Sequence, residues 1–129
     1  MPQPHPTGSF DALHGHAYAS LTTLRRDGTP VVTPVWFALE GGRVYVVTTA
    51  DSGKVKRIRN NAQVLLAPCT AGGTVLAPGV AGVVRILPTG EWAGARRALD
   101  RKYGWRKRFA DLVYAFRRKA PAYLEIAPA

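Results

Sequence analysis

The stretch Tyr18–Thr49 reads YASLTTLRRDGTPVVTPVWFALEGGRVYVVTT and sets the architecture of the chain. Three runs rich in β-branched and aromatic residues are separated by two tight-turn signals, Asp27-Gly28 and Gly41-Gly42. The sequence therefore predicts an antiparallel meander with strands over Tyr18–Leu24, Thr29–Leu39 and Arg43–Thr49. Pro30 and Pro34 lack backbone donors, so the second strand should have an unpaired side or a bulge near Pro34.

The remaining elements follow from periodicity and from helix stop signals. Helical spacing of Trp92, Ala95, Leu99 and Tyr103 predicts a helix capped at Thr89 and ended by Gly104. The other predicted elements are a short inward-packed helix at Phe10–Leu13, a helix at Gly53–Asn60 capped by Asp51 or Ser52, a strand at Gln63–Cys69, one bent or two short strands within Thr74–Leu87, a second helix with Phe109, Leu112, Val113 and Phe116 on one stripe, and a last strand at Tyr123–Ile126.

These elements predict a mainly β protein with a helix in mid-chain and a helical pair before the last strand. About six short antiparallel strands with tight turns favour a small barrel, and a barrel of this size is filled by its own side chains. A sizeable ligand is then expected outside it, in a groove or at a subunit interface. We expect residues 1–9 to be a flexible arm and residues 10–129 to form a single domain.

The net charge of +10 predicts an anionic partner of one of three classes: a nucleic acid, an acidic lipid or a polyanionic small molecule. Ten of the eighteen basic residues lie within 96–119. There the apolar residues fall on one stripe and the basic residues on the other, which favours a docked helix with a charged face over nucleic-acid binding. A single cysteine, no secretory leader and no apolar run of the ~20 residues needed for a membrane span predict a cytoplasmic protein.

The sequence lacks the motifs of several enzyme classes. It has neither glycine-rich nucleotide fingerprint and no C-x-x-C pair. His14 and His16 have no carboxylate or cysteine cluster beside them, so no metal site is predicted, and Cys69 is expected to be a small buried residue. If the protein is an enzyme, its chemistry should come from a cofactor.

Residues Thr48–Asn61, TTADSGKVKRIRNN, are the strongest candidate for a binding site. A helix start binds anions through its free N–H groups and its partial positive charge. Ser52 adds a hydroxyl, Gly53 allows close approach, and Lys54 and Arg57 add charge, so together they could hold a phosphate. The alternative is an ordinary capped helix with a solvated basic face, and the carboxylate of Asp51 favours that alternative. Lys54 is expected to be exposed.

A second candidate lies in the strand TPVVTPVWF. Thr33, Pro34 and Trp36 combine a hydroxyl, a gap in the hydrogen-bond ladder and an aromatic surface. Exposed backbone groups beside an aromatic side chain could bind the edge of a flat heterocycle. The alternative is an ordinary strand with one buried tryptophan, and taken alone the strand favours it.

The order of these motifs resembles the pyridoxamine 5′-phosphate oxidase-like split-barrel superfamily. The similarity spans about Phe10–Ile126 and includes the Asp-Gly hairpin, the TPVWF strand, the T-T-x-x-S-G-K helix start and the A-L-x-x-K-Y-G helix. More narrowly, the chain is similar to the branch of F420-dependent oxidoreductases, which use a deazaflavin. The resemblance implies a split β-barrel that forms a homodimer, with cofactor grooves at the interface and contributions from both subunits.

The resemblance also implies roles for individual residues. Flavin-using relatives bind the cofactor phosphate with an S-R-K run, which here reads Ser52-Gly53-Lys54; Lys56 and Arg57 are expected to replace the missing arginine. By the same analogy the strand residues would lie along the ring system and two threonines near the ribityl chain or phosphate. These are Thr33, Pro34, Val35 and Trp36 for the ring, and Thr48 and Thr49 for the chain.

The leading hypothesis is an F420-dependent oxidoreductase that transfers hydride between reduced deazaflavin and a conjugated small-molecule acceptor. No catalytic residue is assigned; the accompanying proton would come from solvent or from a tyrosine such as Tyr45. Alternatives are an FMN-binding oxidoreductase of the same superfamily, a carrier that holds F420 without turnover, and a nucleic-acid-binding protein, which ranks lowest.

Overall fold

The computed structural model describes residues 9–104 and 120–129. Within them lie six strands and two α-helices, numbered here in chain order. They are β1 (Tyr18–Leu24), β2 (Pro30–Glu40), β3 (Arg43–Thr49), α1 (Gly53–Asn60), β4 (Gln63–Cys69), β5 (Val80–Ile86), α2 (Trp92–Tyr103) and β6 (Pro121–Pro128). The predicted arm, apart from Ser9, and the predicted second helix around Phe109–Phe116 lie outside the described residues.

The six strands form a closed antiparallel barrel in the order β1-β2-β3-β6-β5-β4. The first three are the predicted meander, and their turns lie at the predicted glycines. Gly28 has φ +87°, while Gly41 and Gly42 have φ +59° and +77°, which other residues adopt only with strain. The prediction of a mainly β barrel with a helix in mid-chain is confirmed.

Strand β2 has two different halves. Pro30–Trp36 pairs with β1, whereas only Phe37–Glu40 pairs with β3. Among the described strands, the first half of β2 therefore has one edge without a partner. Both prolines lie in that half, and the register to β1 runs without a bulge, so the predicted unpaired side is confirmed.

The barrel interior is filled by side chains from every strand. Phe37, Leu21 and Leu124 are wholly buried, and Ile58 of α1 joins the same cluster. A short 3-10 turn at Asp11–Leu13 packs Phe10 and Leu13 into it, as predicted. Because this interior has no room for a large ligand, a cofactor would have to bind outside the barrel.

Helix α2 packs on the outside of the barrel. Its buried residues include Ala95, Leu99 and Tyr103, the stripe that the sequence predicted. The predicted cap at Thr89 is wrong. Thr89–Glu91 forms a 3-10 turn that leads into α2 at Trp92, and no side chain caps the helix.

Strand β2 is shifted by one residue at each end from its predicted bounds, and two other strands differ more from the prediction. Of the β-prone stretch Thr74–Leu87 only β5 is a regular strand, and Val75 makes a single bridge to Cys69. Strand β6 is longer than predicted because it pairs with β3 on one side and with β5 on the other. Both differences depend on strand partners that are distant in sequence.

Candidate functional site

Helix α1 begins at a serine cap. The Ser52 Oγ accepts a hydrogen bond from the Val55 N–H at 3.3 Å. Asp51, the other predicted cap, is exposed, and its side chain does not cap the helix. The N–H groups of Gly53 and Lys54 belong to the first turn, where an α-helix offers no acceptor of its own. Donors are therefore available at this end of the helix.

The amphipathic pattern of α1 fixes which side chains face outward. Val55 and Ile58, three residues apart, are buried against the barrel. Lys56 and Arg59 are exposed, whereas Lys54 and Arg57 are partly buried beside the apolar stripe. Two of the four cationic side chains of α1 are therefore partly shielded from solvent, and the other two are exposed.

Arg57 bends back towards the start of its own helix. Its Nε donates to the Oγ1 of Thr23 on β1 at 2.6 Å, and Thr23 is only 1% exposed. Its Nη1 lies 2.8 Å from the point where a Cβ at Gly53 would stand. The guanidinium thus occupies the space beside Gly53 that the sequence assigned to an approaching ligand.

Lys54 is partly buried, so the prediction that it is exposed is wrong. Loss of solvent lowers the pKa of its ammonium group, and the nearby Arg57 guanidinium lowers it further. Both effects disfavour the charged form of Lys54. An anion bound between the two cations would relieve the repulsion.

The ion pairs in the described part of the chain lie away from the start of α1. The ion pairs there join Arg43 and Arg85 to Glu125, Arg85 to Glu91, and Arg101 to Glu40. None of these pairs includes Lys54 or Arg57. Among the described residues, Lys54 and Arg57 therefore form no ion pair, although the exposed Asp51 directly precedes the Ser52 cap.

Strand β3 leads directly into this region. Thr48 is 7% exposed, and Thr49 is partly buried and accepts from the Ser52 N–H through its carbonyl at 3.1 Å. The predicted phosphate and ribityl residues thus lie on one continuous segment of β3 and α1. They are Thr48, Thr49, Ser52, Gly53, Lys54, Lys56 and Arg57.

The predicted ring-binding residues divide between two faces of β2. Val35 lies in the core cluster, so alternation along the strand turns Thr33 inward and Pro34 and Trp36 outward. The ring of Trp36 lies 4.6 Å from that of Tyr103 and 5.9 Å from that of Tyr18. A ligand along this strand would therefore meet the unpaired backbone edge, and it could not contact all four side chains from one side.

Thr33 has a feature that the sequence could not show. Its Oγ1 is buried and has no hydrogen-bond partner among the described residues. Thr33 pairs with Leu21 of β1, two positions from Thr23, the hydroxyl that Arg57 contacts. A buried hydroxyl without a partner is uncommon in proteins and indicates a missing donor or acceptor.

Thr23 is a site residue that was not predicted from the sequence. It occupies an inward position of β1 in line with Ala19 and Leu21, and a polar residue at such a position needs a partner. That pattern is the signal that could have identified it.

An apolar surface on the outside of the barrel was also missed. Val32, Leu65 and Val83 are 54%, 46% and 44% exposed, and Thr22 lies between the first two in the strand registers. A groove of about 360 Å³ beside them is lined by residues that include Leu24, Ala81 and Val83. We call this the β1–β4–β5 face.

Neither a metal site nor a membrane-spanning helix is found among residues 9–104 and 120–129. No group of three or more metal-binding side chains is found there, and no helix is long and apolar enough to span a membrane. Cys69 is 3% exposed, which confirms its predicted burial.

Residues 10–127 match the model of the family described as pyridoxamine 5′-phosphate oxidase. The chain belongs to the pyridoxamine 5′-phosphate oxidase family. This match includes β1 to β5 entire and nearly all of β6, and it confirms the resemblance found in the sequence. No curated protein was found to match the chain.

Solved structures extend the comparison beyond the family model. An F420 reductase is 23% identical with a TM-score of 0.63, over 97% of this chain and 96% of that chain. A FAD-binding protein from Mesorhizobium loti is 20% identical with a TM-score of 0.60, over 92% and 83%. A heme storage protein from Vibrio cholerae is 11% identical with a TM-score of 0.67, over 92% and 86%. These similarities show a shared fold, on which proteins with different ligands are built.

Proposed function

We propose that this protein is an oxidoreductase that uses coenzyme F420 and transfers hydride between the reduced deazaflavin and a conjugated small molecule. The observation that carries the proposal is the pair of partly buried cations, Lys54 and Arg57, at the capped start of α1. F420 carries a phosphate and a polyglutamate tail, so it is an anion that such a site would attract. The net charge of +10 adds a long-range attraction that weakens as salt is added.

The residues present fit the phosphate of such a cofactor. The N–H groups of Gly53 and Lys54 are donors of the first turn, and the Ser52 hydroxyl retains its proton for donation. Lys54 and Arg57 supply full charges.

The unpaired edge of β2 supports a place for the ring system. Among the described residues, the backbone of its first half has no strand partner on one side, next to the partly buried Trp36. When bound, reduced F420 supplies a hydride from its ring. The protein would hold the ring against the acceptor and exclude water, which is mainly a matter of orientation.

We assign the accompanying proton to solvent. Tyr45 donates its hydroxyl hydrogen to Glu125 at 3.1 Å. Burial raises the pKa of Tyr45, and Glu125 raises it further, so the hydroxyl holds its proton. A tyrosine committed in this way is a poor source of a catalytic proton.

We further propose that two copies associate through the β1–β4–β5 face. Three large apolar side chains about half exposed on one sheet surface are costly to leave in water, and such patches typically mark interaction sites. A second copy would bury them and could add residues to each cofactor site. We place the protein in the cytoplasm, since its one cysteine cannot form an internal disulfide.

A binding screen tests this function directly. The purified protein is titrated with F420 and, separately, with FMN, and reduced F420 is then offered with quinones, enones and tetrapyrroles as acceptors. Saturable F420 binding and oxidation of reduced F420 by one acceptor class support the proposal. Preference for FMN, with the yellow colour of bound flavin, supports the flavin alternative. Tight F420 binding without turnover supports a carrier.

The nucleic-acid alternative has its own test. A DNA shift assay at low salt should show weak binding at most. Tight binding with a steep salt dependence would contradict the proposal, since phosphate contacts to nucleic acid release counterions.

A further inference from the structure

We infer that Gly53 and Arg57 act as one unit, in which the absence of a side chain at position 53 lets the guanidinium of Arg57 serve the cofactor's phosphate at the start of α1. Arg57 is then a phosphate-binding residue and Gly53 its positioning residue. This inference rests on the proposed function, because it names the group that completes the same site.

The geometry ties the two residues together. A Cβ at position 53 would lie 2.8 Å from Arg57 Nη1, closer than real Cβ contacts allow. Arg57 Nε is anchored on Thr23 at 2.6 Å, so its terminal nitrogens are the part that reaches the helix start. Any side chain at position 53 would displace them.

Backbone conformation does not require glycine here. Gly53 does not have a positive φ, and it lies in the first turn of α1. Alanine favours a helix more than glycine does, by up to ~1 kcal/mol in helix interiors. Glycine at position 53 therefore costs the helix some stability, and it leaves room for the Arg57 guanidinium in its observed position.

The charges indicate that an anion is the missing partner. Arg57 and Lys54 are like charges close enough for Arg57 to lower the pKa of Lys54, and both are partly buried. No carboxylate pairs with either one among the described residues. On the neighbouring strand β2, the buried Oγ1 of Thr33, diagonally across from Thr23 in the strand register, also has no hydrogen-bond partner among the described residues. A phosphate monoester, with several acceptor oxygens and up to two charges, would pair with both cations.

A double-mutant cycle tests the unit. F420 is titrated into wild type, Gly53→Ala, Arg57→Ala and the double variant, and the thermal midpoint of each is measured. We expect Gly53→Ala to weaken F420 binding roughly ten-fold, as for loss of a charged hydrogen bond, with a thermal midpoint equal to or above that of wild type. Gly53→Ala should add little in the Arg57→Ala background.

Two further variants distinguish weaker F420 binding from misfolding of the protein. Arg57→Lys keeps the charge but loses the fork of donors, and it should bind F420 with intermediate affinity. Gly53→Arg combined with Arg57→Ala moves the guanidinium to position 53 and should recover part of the lost affinity. Recovery in that variant separates a role in binding from a role in folding.

Other outcomes overturn the inference. It is wrong if Gly53→Ala binds F420 as wild type does, or if the two single losses multiply in the double variant. If wild type binds neither F420 nor flavin, the proposed function fails, and the cycle is repeated with inorganic phosphate, followed by chemical shifts of the α1 amides. Phosphate binding weakened by both single variants, without multiplication in the double variant, supports the inference; any other result overturns it.

Discussion

The hydroxyl of Tyr103 bridges α2 and the barrel by accepting a hydrogen bond from the Phe37 N–H at 3.0 Å. The same oxygen lies 2.7 Å from the Ala17 carbonyl and 2.8 Å from that of Phe37, so its one hydrogen also has acceptors. Tyr103→Phe would leave a buried backbone N–H without this acceptor. We expect a loss of about 1–3 kcal/mol in the free energy of unfolding, measured with urea.

Tyr45→Phe is the matched control for Tyr103→Phe. Its hydroxyl contacts Glu125, a carboxylate that retains Arg43 and Arg85 as partners. The loss of stability should therefore be smaller. Equal losses for the two variants would contradict the role assigned to Tyr103.

Gly82 is required by packing inside the barrel. A Cβ at this position would lie 2.7 Å from Ile126 Cγ2 and 3.1 Å from both the Ala127 carbonyl and Phe10 Cζ. Gly82→Ala should therefore lower the free energy of unfolding by roughly 1–3 kcal/mol, as overpacked cores do. Gly94→Ala on α2 is the control, because nothing lies within 4 Å of its Cβ position, and it should be neutral or stabilising. A neutral Gly82→Ala would show that the barrel interior is looser than described.

Lys54 should make stability depend on pH in the alkaline range. Its pKa is lowered in the folded protein, so the unfolded state holds the proton more tightly and charging Lys54 costs stability. That cost is fully present below the lowered pKa and disappears as pH rises towards the ordinary lysine value. Lys54→Met should consequently be more stable than wild type at neutral pH, and the difference should shrink as pH rises.

Thermal melts of wild type and Lys54→Met across that range measure the effect. Added phosphate should stabilise wild type more than the variant at neutral pH. A stability difference that does not change with pH would contradict the lowered pKa.

The β1–β4–β5 face can be tested through the oligomeric state. Leu65 is 46% exposed at the centre of this face, and Leu65→Asp should convert a wild-type dimer into a monomer because a buried charge without a partner is costly. Sedimentation over a range of concentrations measures this. Ala93→Asp, at an exposed position of α2, should leave the dimer intact. A wild-type monomer at high concentration, or a dimeric Leu65→Asp, would contradict the proposed interface.

Local signals were enough to predict part of the fold. The bounds of β1 and β3 were predicted to the residue, because Asp27-Gly28 and Gly41-Gly42 determine where the strands turn. The extent of β5 could not be predicted in this way. Thr74–Leu87 has β propensity throughout, yet only the part that meets β4 and β6 forms a strand.

The candidate site shows the same division. The site residues on β3 and α1 could be predicted from the sequence, since those between Thr48 and Arg57 are nearly consecutive. The partial burial of Lys54 and the contact of Arg57 with Thr23, 34 positions away, depend on how α1 docks against β1. The apolar β1–β4–β5 face likewise exists only once the strands are in register.

The affinity of F420 for Lys54→Ala, measured beside wild type by fluorescence titration, tests the central claim most directly. Arg59→Ala is the matched control, because it removes an equal charge from an exposed position of the same helix. We predict that Lys54→Ala weakens binding by about 1–3 kcal/mol while Arg59→Ala changes it much less. Unchanged affinity in Lys54→Ala, or equal losses in both variants, would contradict a cofactor phosphate seated at the start of α1.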